Sequence, residues 1–387
     1  MSLLSQLLSP CDVEEFLTHY WTNQAVAISG KGQKAFTHFF SWEKLNHLLN
    51  FHSIKYPDLR LAFEGKALDE SETEHLRAWC QKGATLILDQ VHLRIPEIRQ
   101  LTTELTDELG CKTQVNAYCS WSSSQGFSCH YDTHEVIVLQ IEGSKKWSVY
   151  PDTFKWPLRE QKSAQRTPPT GETYLDCVLH PGDVLYIPRG HWHYAQTQIE
   201  PSIHLTIGIH CPTGIHFLEW IVSQLKQQQE WRKSLPIRIE NRSMQSGIKQ
   251  LIQQLNHYLE KESLSDEYPR YLESIENKAN DYDFPYQAGF NIFRDGIETR
   301  FRTPQFQRIQ IQEISLDQEY KILVAGREVL LKGVSRTLVE NLFSQKFFRG
   351  RDVMNWLPDY DWELDLVPLL SRLVTEGVIF VDPDNQS

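Results

Sequence analysis

Between Cys111 and Cys211 the chain is written in short runs rich in Val, Ile, Tyr and Trp: TQVNAYCSW, HEVIVLQIEG, KKWSVYP, DVLYIP and SIHLTIGI, separated by Gly, Pro and Ser. Runs of this length with turn residues between them read as strands, and several in succession can bury their apolar faces only by closing on one another as a sandwich or barrel. A compact all-β unit is therefore the frame into which the rest of the chain must fit.

What flanks it differs in period. Before it, Asp12 to Tyr20 reads as a short amphipathic helix and TNQAVAISG as a strand ending in a glycine turn. After Pro212 the period becomes helical: Phe217, Leu218, Ile221, Val222 and Leu225 share one face, and Ile248, Leu251, Ile252, Leu255 and Leu259 share another. Such stripes suit either packing within the domain or a dimer interface. Beyond a loop at 280–296, EYKILVAGREVLL reads as a hairpin turning at Ala325-Gly326, followed by helices near Arg336 to Phe343 and Leu364 to Val374 and the strand VIFV, a winged-helix-like set. The expected fold class is α+β, with domains at 1–212, 213–282 and 290–387.

Composition removes several classes of function. Residues are 40% hydrophobic and 23% charged, and no run nears the roughly 18 uninterrupted apolar residues of a membrane span. The opening MSLLSQLLSPCDVEEF has no basic residue before its apolar stretch and no small-residue cleavage site, so it does not read as a secretory signal. Seven cysteines without a C-x-x-C pair argue for reduced thiols in a cytoplasmic protein, against a disulfide framework or a structural zinc site. A net charge of -11 disfavours nucleic acid and anionic lipid and suits a basic partner.

The sharpest local signal is Cys129-His130-Tyr131-Asp132, at the head of HEVIVLQIEG. In an extended chain alternate side chains share a face, so His130 and Asp132 point one way and Tyr131 the other. PGDVLYIPRGHWH offers a third ligand from another strand. His191 and His193 are two apart, and alternation does not choose between them. His134 shares the inward face as a pocket side chain. Two histidines and a carboxylate form a facial triad, which leaves three positions of a metal open. Two can chelate a 2-oxo acid and one can take dioxygen, coupling decarboxylation to hydroxylation of a nearby C–H bond. Lys145 follows the turn Glu142-Gly143-Ser144, on a strand expected to run antiparallel to the one beginning at His130, where its ammonium could pair with the distal carboxylate of 2-oxoglutarate; Lys146 faces the other way. Taken singly, an H-x-D is more often a surface or core pair and a turn lysine is more often solvated. An H-x-D opening a strand, a G-x-K-x-W hairpin after it and a later P-G-D…I-P-R-G-x-x-H strand rarely coincide by accident.

These motifs resemble the JmjC subfamily of the cupins, and most closely its ribosomal-oxygenase-like branch, with bacterial arginine-hydroxylating and animal histidine-hydroxylating members. The likeness takes in FLTHYWTNQAVAISG, the motif-bearing β unit, the helical insert and the C-terminal unit in the same order. It implies a double-stranded β-helix (jelly-roll/cupin) core, and it selects His193 over His191 as the last position of P-R-G-x-x-H. By the same likeness Lys145 is the 2-oxoglutarate-binding residue, as in the histidine-hydroxylating members, and Asn116 and Tyr118 line the substrate pocket. Gly208 departs from the pattern, standing where the histidine hydroxylases place a serine that touches substrate. The helical insert resembles the family's dimerisation region, and the winged-helix-like module is not implied to bind DNA.

The expected function is that of an iron(II)- and 2-oxoglutarate-dependent oxygenase hydroxylating a side chain of a protein, such as a basic ribosomal protein, and working as a homodimer. Two other classes stand beside it: an oxygenase for small molecules, and a DNA-binding regulator with a cupin sensor domain. For the last, Asp352, Asp359, Asp361, Glu363 and Asp365 surround Arg336, Lys346, Arg349 and Arg351, a poor balance for phosphate contacts.

Overall fold

A computed structural model describes residues 2–32, 35–121, 126–235, 244–276, 281–305, 309–315, 319–324 and 327–383, which divide between two compact units, Met1–Pro212 and Thr213–Ser387. In the first unit the strands are β1 (Val26–Ile28), β2 (Leu59–Phe63), β3 (Lys66–Ala67), β4 (Thr85–Leu88), β5 (Lys112–Ser120), β6 (Glu135–Glu142), β7 (Lys145–Asp152), β8 (Leu175–Leu179), β9 (Val184–Ile187), β10 (His191–Thr197) and β11 (Ser202–His210). They form an eight-stranded antiparallel sheet, in the order β1-β9-β6-β11-β5-β4-β2-β3, and a three-stranded one, β10-β7-β8. From β6 onward the chain passes repeatedly from one sheet to the other, which is the double-stranded β-helix of the cupins.

Alternation within the strands divides their side chains between two environments. From β11, Ile203, Leu205, Ile207 and Ile209 enter a core shared with Leu45 and Leu48 of helix Trp42–Phe51 and with Ile98, Leu101 and Leu105 of helix Pro96–Leu109. Val136 and Val138 of β6 turn the other way, packing with Trp147 and Val149 of the smaller sheet. This strand is buried on both faces, hence its nearly continuous apolar run. On β5 and β11 the face turned from the helices carries polar groups instead: Gln114, Asn116, Tyr118, His204 and Thr206, with Gly208.

Two local expectations are corrected. The strand expected to begin at His130 begins at Glu135; His130 makes an isolated antiparallel bridge to His193. The turn Glu142-Gly143-Ser144 does not close a hairpin either. β6 pairs with β9 and β11, whereas β7 pairs with β8 and β10, so the turn carries the chain between sheets. Both faces of β6 are apolar, and facing sheets bury both where a simple hairpin would leave one wet.

In the second unit, helices Gly214–Leu225 and Met244–Leu259 lie where the apolar stripes predict them, and a third, Leu264–Glu276, was hidden by Pro269 within it. The first stripe is split: Ile221 and Leu225 are buried with Trp220 and Leu264, whereas Leu218 and Val222 are exposed, as are Ile248 and Ile252 on the second helix. Farther on come β12 (Arg300–Arg302), β13 (Gln310–Ser315), β14 (Glu319–Val324), β15 (Arg327–Lys332), β16 (Phe347–Arg349) and β17 (Phe380–Val381), in two antiparallel sheets ordered β16-β12-β17 and β13-β14-β15. β14 and β15 are the arms of the expected hairpin, with Val324 opposite Arg327; its turn residues, Ala325 and Gly326, lie outside the described residues. The expected helices run over Arg336–Ser344 and, after a helical turn at Trp362–Leu366, over Val367–Thr375. Among the described residues, no helix is long and apolar enough to cross a membrane.

Candidate metal centre

His130, Asp132 and His193 offer one ligand atom each, and the three atoms lie within 4.8 Å of one another. The main chain brings them together. His130 N–H donates to the His193 carbonyl at 3.0 Å, His193 N–H donates back to the His130 carbonyl at 2.7 Å, and Gly190 N–H donates to the Asp132 carbonyl at 2.9 Å. Between them, Tyr131 is turned away and buried, its hydroxyl donating to the Gln161 carbonyl and its ring edge-on to Trp192. The opposed orientation of His130/Asp132 and Tyr131 thus holds although no regular strand carries it.

Each imidazole is turned by a hydrogen bond on its far side. Nδ1 of His130 lies 2.8 Å from the Ser128 carbonyl, and Nδ1 of His193 lies 3.0 Å from the His191 carbonyl. A carbonyl only accepts, so both rings carry the proton on Nδ1 and present a bare Nε2. His193 Nε2 stands 3.5 Å from Asp132 Oδ2. Burial pushes the Asp132 carboxyl up, but the facing His193 and the flanking imidazoles outweigh it and hold the group well below the usual carboxylate range. Burial and the neighbouring His193 push the His130 imidazole down, toward the neutral form a metal requires.

The ambiguity between His191 and His193 has a local resolution. The register of β10 on β7 slips between them, with His191 opposite Asp152 and His193 opposite Val149. A bulge of this kind re-aims a side chain. His191 Nδ1 meets the Tyr174 hydroxyl at 2.7 Å, and His193 is the one that faces Asp132.

A cavity runs from this group to Lys145, past Thr85, Tyr118, Trp147, His204 and Thr206. Lys145 is 3% exposed, and its Nζ donates to Ser120 Oγ at 2.9 Å. Burial pushes its pKa down to about 7, against a small opposing effect of Cys119. Among the described residues no carboxylate pairs with it, so the ammonium has bonding capacity to spare. Lys146 is exposed, as alternation requires. His204, which motif reading passed over, stacks flat on Tyr118 at 4.8 Å, and burial followed by the Lys145 charge holds it neutral. Its place in SIHLTIGI, two residues before Thr206 and four before Gly208, was the available signal.

On its other side the group opens to a second cavity lined by Arg60, Gln114, Asn116, Tyr118, His134 and Gly208. Arg60 was also passed over, although a lone charge within LRLAF was its mark. His134 is absent from the ligand group; its ring lies 4.5 Å from that of His210, against Gly208.

Residues 91–217 match the family model described as the JmjC domain. Among curated proteins, the chain is 29% identical over 255 residues to a bifunctional lysine-specific demethylase and histidyl-hydroxylase NO66 of Drosophila persimilis, covering 61% of this chain and 36% of that protein. It is 31% identical over 257 residues to ribosomal oxygenase 1 of Rattus norvegicus, covering 60% of this chain and 42% of that one. The chain thus spans well under half the length of these relatives. Among solved structures, the ribosomal oxygenase YcfD of Escherichia coli superposes with a TM-score of 0.62 at 16% identity, over 96% of this chain and 98% of the other. YcfD in complex with cobalt and succinic acid gives 0.64, also at 16% identity, over 96% and 99%. The resemblance read from the motifs is borne out to this extent: residues 91–217 match the JmjC domain, and the chain shares its cupin fold with YcfD.

Proposed function

We propose that this JmjC-domain chain is an iron(II)- and 2-oxoglutarate-dependent oxygenase that hydroxylates a protein side chain, with a ribosomal protein as the substrate class that its relatives' names suggest. One observation carries the reading: two imidazoles with Nδ1 committed and Nε2 bare converge with a carboxylate at one end of a cavity whose other end holds a buried ammonium that no carboxylate among the described residues pairs. In this reading His130, Asp132 and His193 hold the metal. Two neutral nitrogens and one carboxylate suit iron(II) and leave half its positions open. When bound, the metal and 2-oxoglutarate supply oxidation of a C–H bond coupled to decarboxylation.

This chain's own residues do the rest. Lys145 Nζ binds the distal carboxylate by a charge-assisted bond, with Ser120 Oγ fixing its direction. Tyr118 and His204, stacked on each other, wall the cosubstrate cavity and exclude water from it. Asn116 and Tyr118 face the substrate side.

The domain roles belong to the same proposal. Residues 1–212 are the catalytic domain with its N-terminal elaboration, 213–282 the dimerisation domain, and 290–387 a winged-helix-like domain. The exposed Leu218, Val222, Ile248 and Ile252 support a homodimer through the helices. The net charge of -11 supports a basic protein partner over nucleic acid, and the free cysteines support the cytoplasm as its compartment.

The test mixes purified protein with iron(II), ascorbate and carboxyl-labelled 2-oxoglutarate. Labelled carbon dioxide is expected from the wild type and not from His130→Ala; equal release from both sinks the proposal. Mass spectrometry of ribosomal proteins from a strain lacking the gene then seeks the one that has lost an oxygen atom.

A further inference from the structure

The second cavity is built by one turn. Asp89, at the end of β4, takes the Arg60 guanidinium in two hydrogen bonds, Nε to Oδ2 at 2.5 Å and Nη2 to Oδ1 at 2.8 Å. The next residue, Gln90, is held left-handed with φ 53°, and its N–H donates to Asn116 Oδ1 at 3.0 Å. Asn116 is thereby fixed in orientation: with its oxygen spent on the main chain, the amide turns its NH2 toward the Tyr118 hydroxyl and the cavity, with one of its two hydrogens to spare. The clamp on Arg60 likewise leaves Nη1 as the donor not engaged by Asp89; the Tyr118 hydroxyl, another wall of the cavity, is pushed up by burial and then by Asp132, with Arg60 opposing. Among the described residues the only carboxylate lining this cavity is Asp132, which belongs to the metal group.

A cavity with fixed donors, a fixed cation and no spare carboxylate discriminates by charge. An incoming guanidinium or ammonium would find the Asp89 carboxylate already spent on Arg60 and nothing left to pair it, and a charge buried without a partner strongly disfavours binding. A side chain that accepts hydrogen bonds has its partners already aimed. We infer that Arg60, clamped by Asp89, is a specificity-determining residue: together with the Asn116 amide it admits a substrate side chain that accepts hydrogen bonds and carries no positive charge, and it turns away arginine and lysine. The inference rests on the oxygenase reading and deepens it.

The clamp also determines what its removal does. In Arg60→Gln the cation is gone and the Asp89 carboxylate is released toward the cavity, a counter-ion for the very side chains the wild type rejects. Arg60→Lys keeps the charge while losing the second hydrogen bond.

The test uses the full chain with iron(II) and labelled 2-oxoglutarate, and peptide pools with randomised flanks and a central residue fixed in turn as Asn, Gln, His, Asp, Arg or Lys. Mass spectrometry locates any added oxygen, and thermal melting verifies that each variant is folded. For the wild type, oxygenation at Asn, Gln, His or Asp is expected to exceed that at Arg or Lys by at least about 100-fold. Arg60→Gln is expected to narrow that ratio about tenfold or more by gaining on Arg pools, and Arg60→Lys to restore the rejection. Oxygenation of Arg or Lys pools by the wild type overturns the inference, as does unchanged rejection in a folded Arg60→Gln. Release of carbon dioxide with no pool oxygenated also overturns it while leaving the oxygenase reading intact. Failure to release carbon dioxide sinks the oxygenase reading instead.

Discussion

His130 and His193 are fastened to each other twice through their main chains, amide to carbonyl in both directions, at 3.0 and 2.7 Å. The two imidazoles therefore hold their separation, 4.5 Å between ring centres, by a link that does not involve either side chain. A group of ligand atoms assembled in this way is preorganised for the metal proposed above.

Ligand substitutions should accordingly cost metal and not fold. His130→Ala or His193→Ala removes a nitrogen and leaves the paired main chains in place, so the melting temperature should stay near the wild-type value. Cobalt(II) affinity by titration calorimetry should fall at least about 100-fold. His191→Ala loses a bond to Tyr174 and no facing nitrogen, and should fall by less than about tenfold. Equal losses from His191→Ala and His193→Ala would mean that the ligand has been misassigned.

Lys145 sets function against stability. Its ordinary pKa is 10.5, and burial brings it down to about 7. Between those values the unfolded chain holds a proton that the folded chain has released, so unfolding takes up a proton and stability rises with pH across the window. Below about 7 both states are protonated and the whole penalty of a buried ammonium is present. Lys145→Met, similar in length and uncharged, should therefore raise the melting temperature by about 2–6 °C at pH 7 and below. That gain should shrink as pH climbs toward 10.5. The same variant should bind 2-oxoglutarate at least about tenfold more weakly. A variant less stable at every pH would show that burial is not what lowers this lysine's pKa.

Much of this was legible in the sequence, and the gaps have physical causes. The face shared by His130 and Asp132 could be read because two-residue alternation survives even where the strand has not begun. The choice between His191 and His193 could not, because it depends on a one-residue slip of β10 against β7, a property of pairing and not of composition. Partnering also hid Arg60 and Ser120. One is meaningful only once Asp89 clamps it, the other only because β5 delivers it to Lys145. The hairpin expected after β6 failed for the same kind of reason, since a glycine turn looks alike whether it joins paired neighbours or strands of facing sheets.

That turn gives a prediction about folding. Gly143 has φ 63°, and a Cβ there would be driven into the Pro201 carbonyl, which is main chain and cannot swing aside. Gly143→Ala should destabilise by about 3 kcal/mol or more in urea unfolding, beyond the usual left-handed penalty of a side chain. Since Lys145 lies two residues on, the surviving folded fraction should also bind 2-oxoglutarate poorly. A variant as stable as wild type would show that the chain crosses between the sheets with room to spare.

Gly208 is the opposite case. A Cβ there would lie 2.8 Å from His134 Nε2 and 2.9 Å from its Cδ2, so the neighbour is the tip of a ring able to rotate out of the way. Gly208→Ser should cost only about 1 kcal/mol in stability, because a side chain gives way where a backbone would not. Its effect should fall on the substrate side, since both residues line the second cavity. The serine would displace His134 from its place against His210, and KM for the oxygenated peptide should rise while carbon dioxide release without peptide and cobalt(II) affinity stay near wild type. Pairing the serine with His134→Ala removes the obstruction, and the double variant should then regain the lost stability. If Gly208→Ser instead weakens cobalt(II) binding as much as it raises KM, the second cavity and the metal group are a single packed unit, and His134 supports Asp132 more than it shapes the substrate.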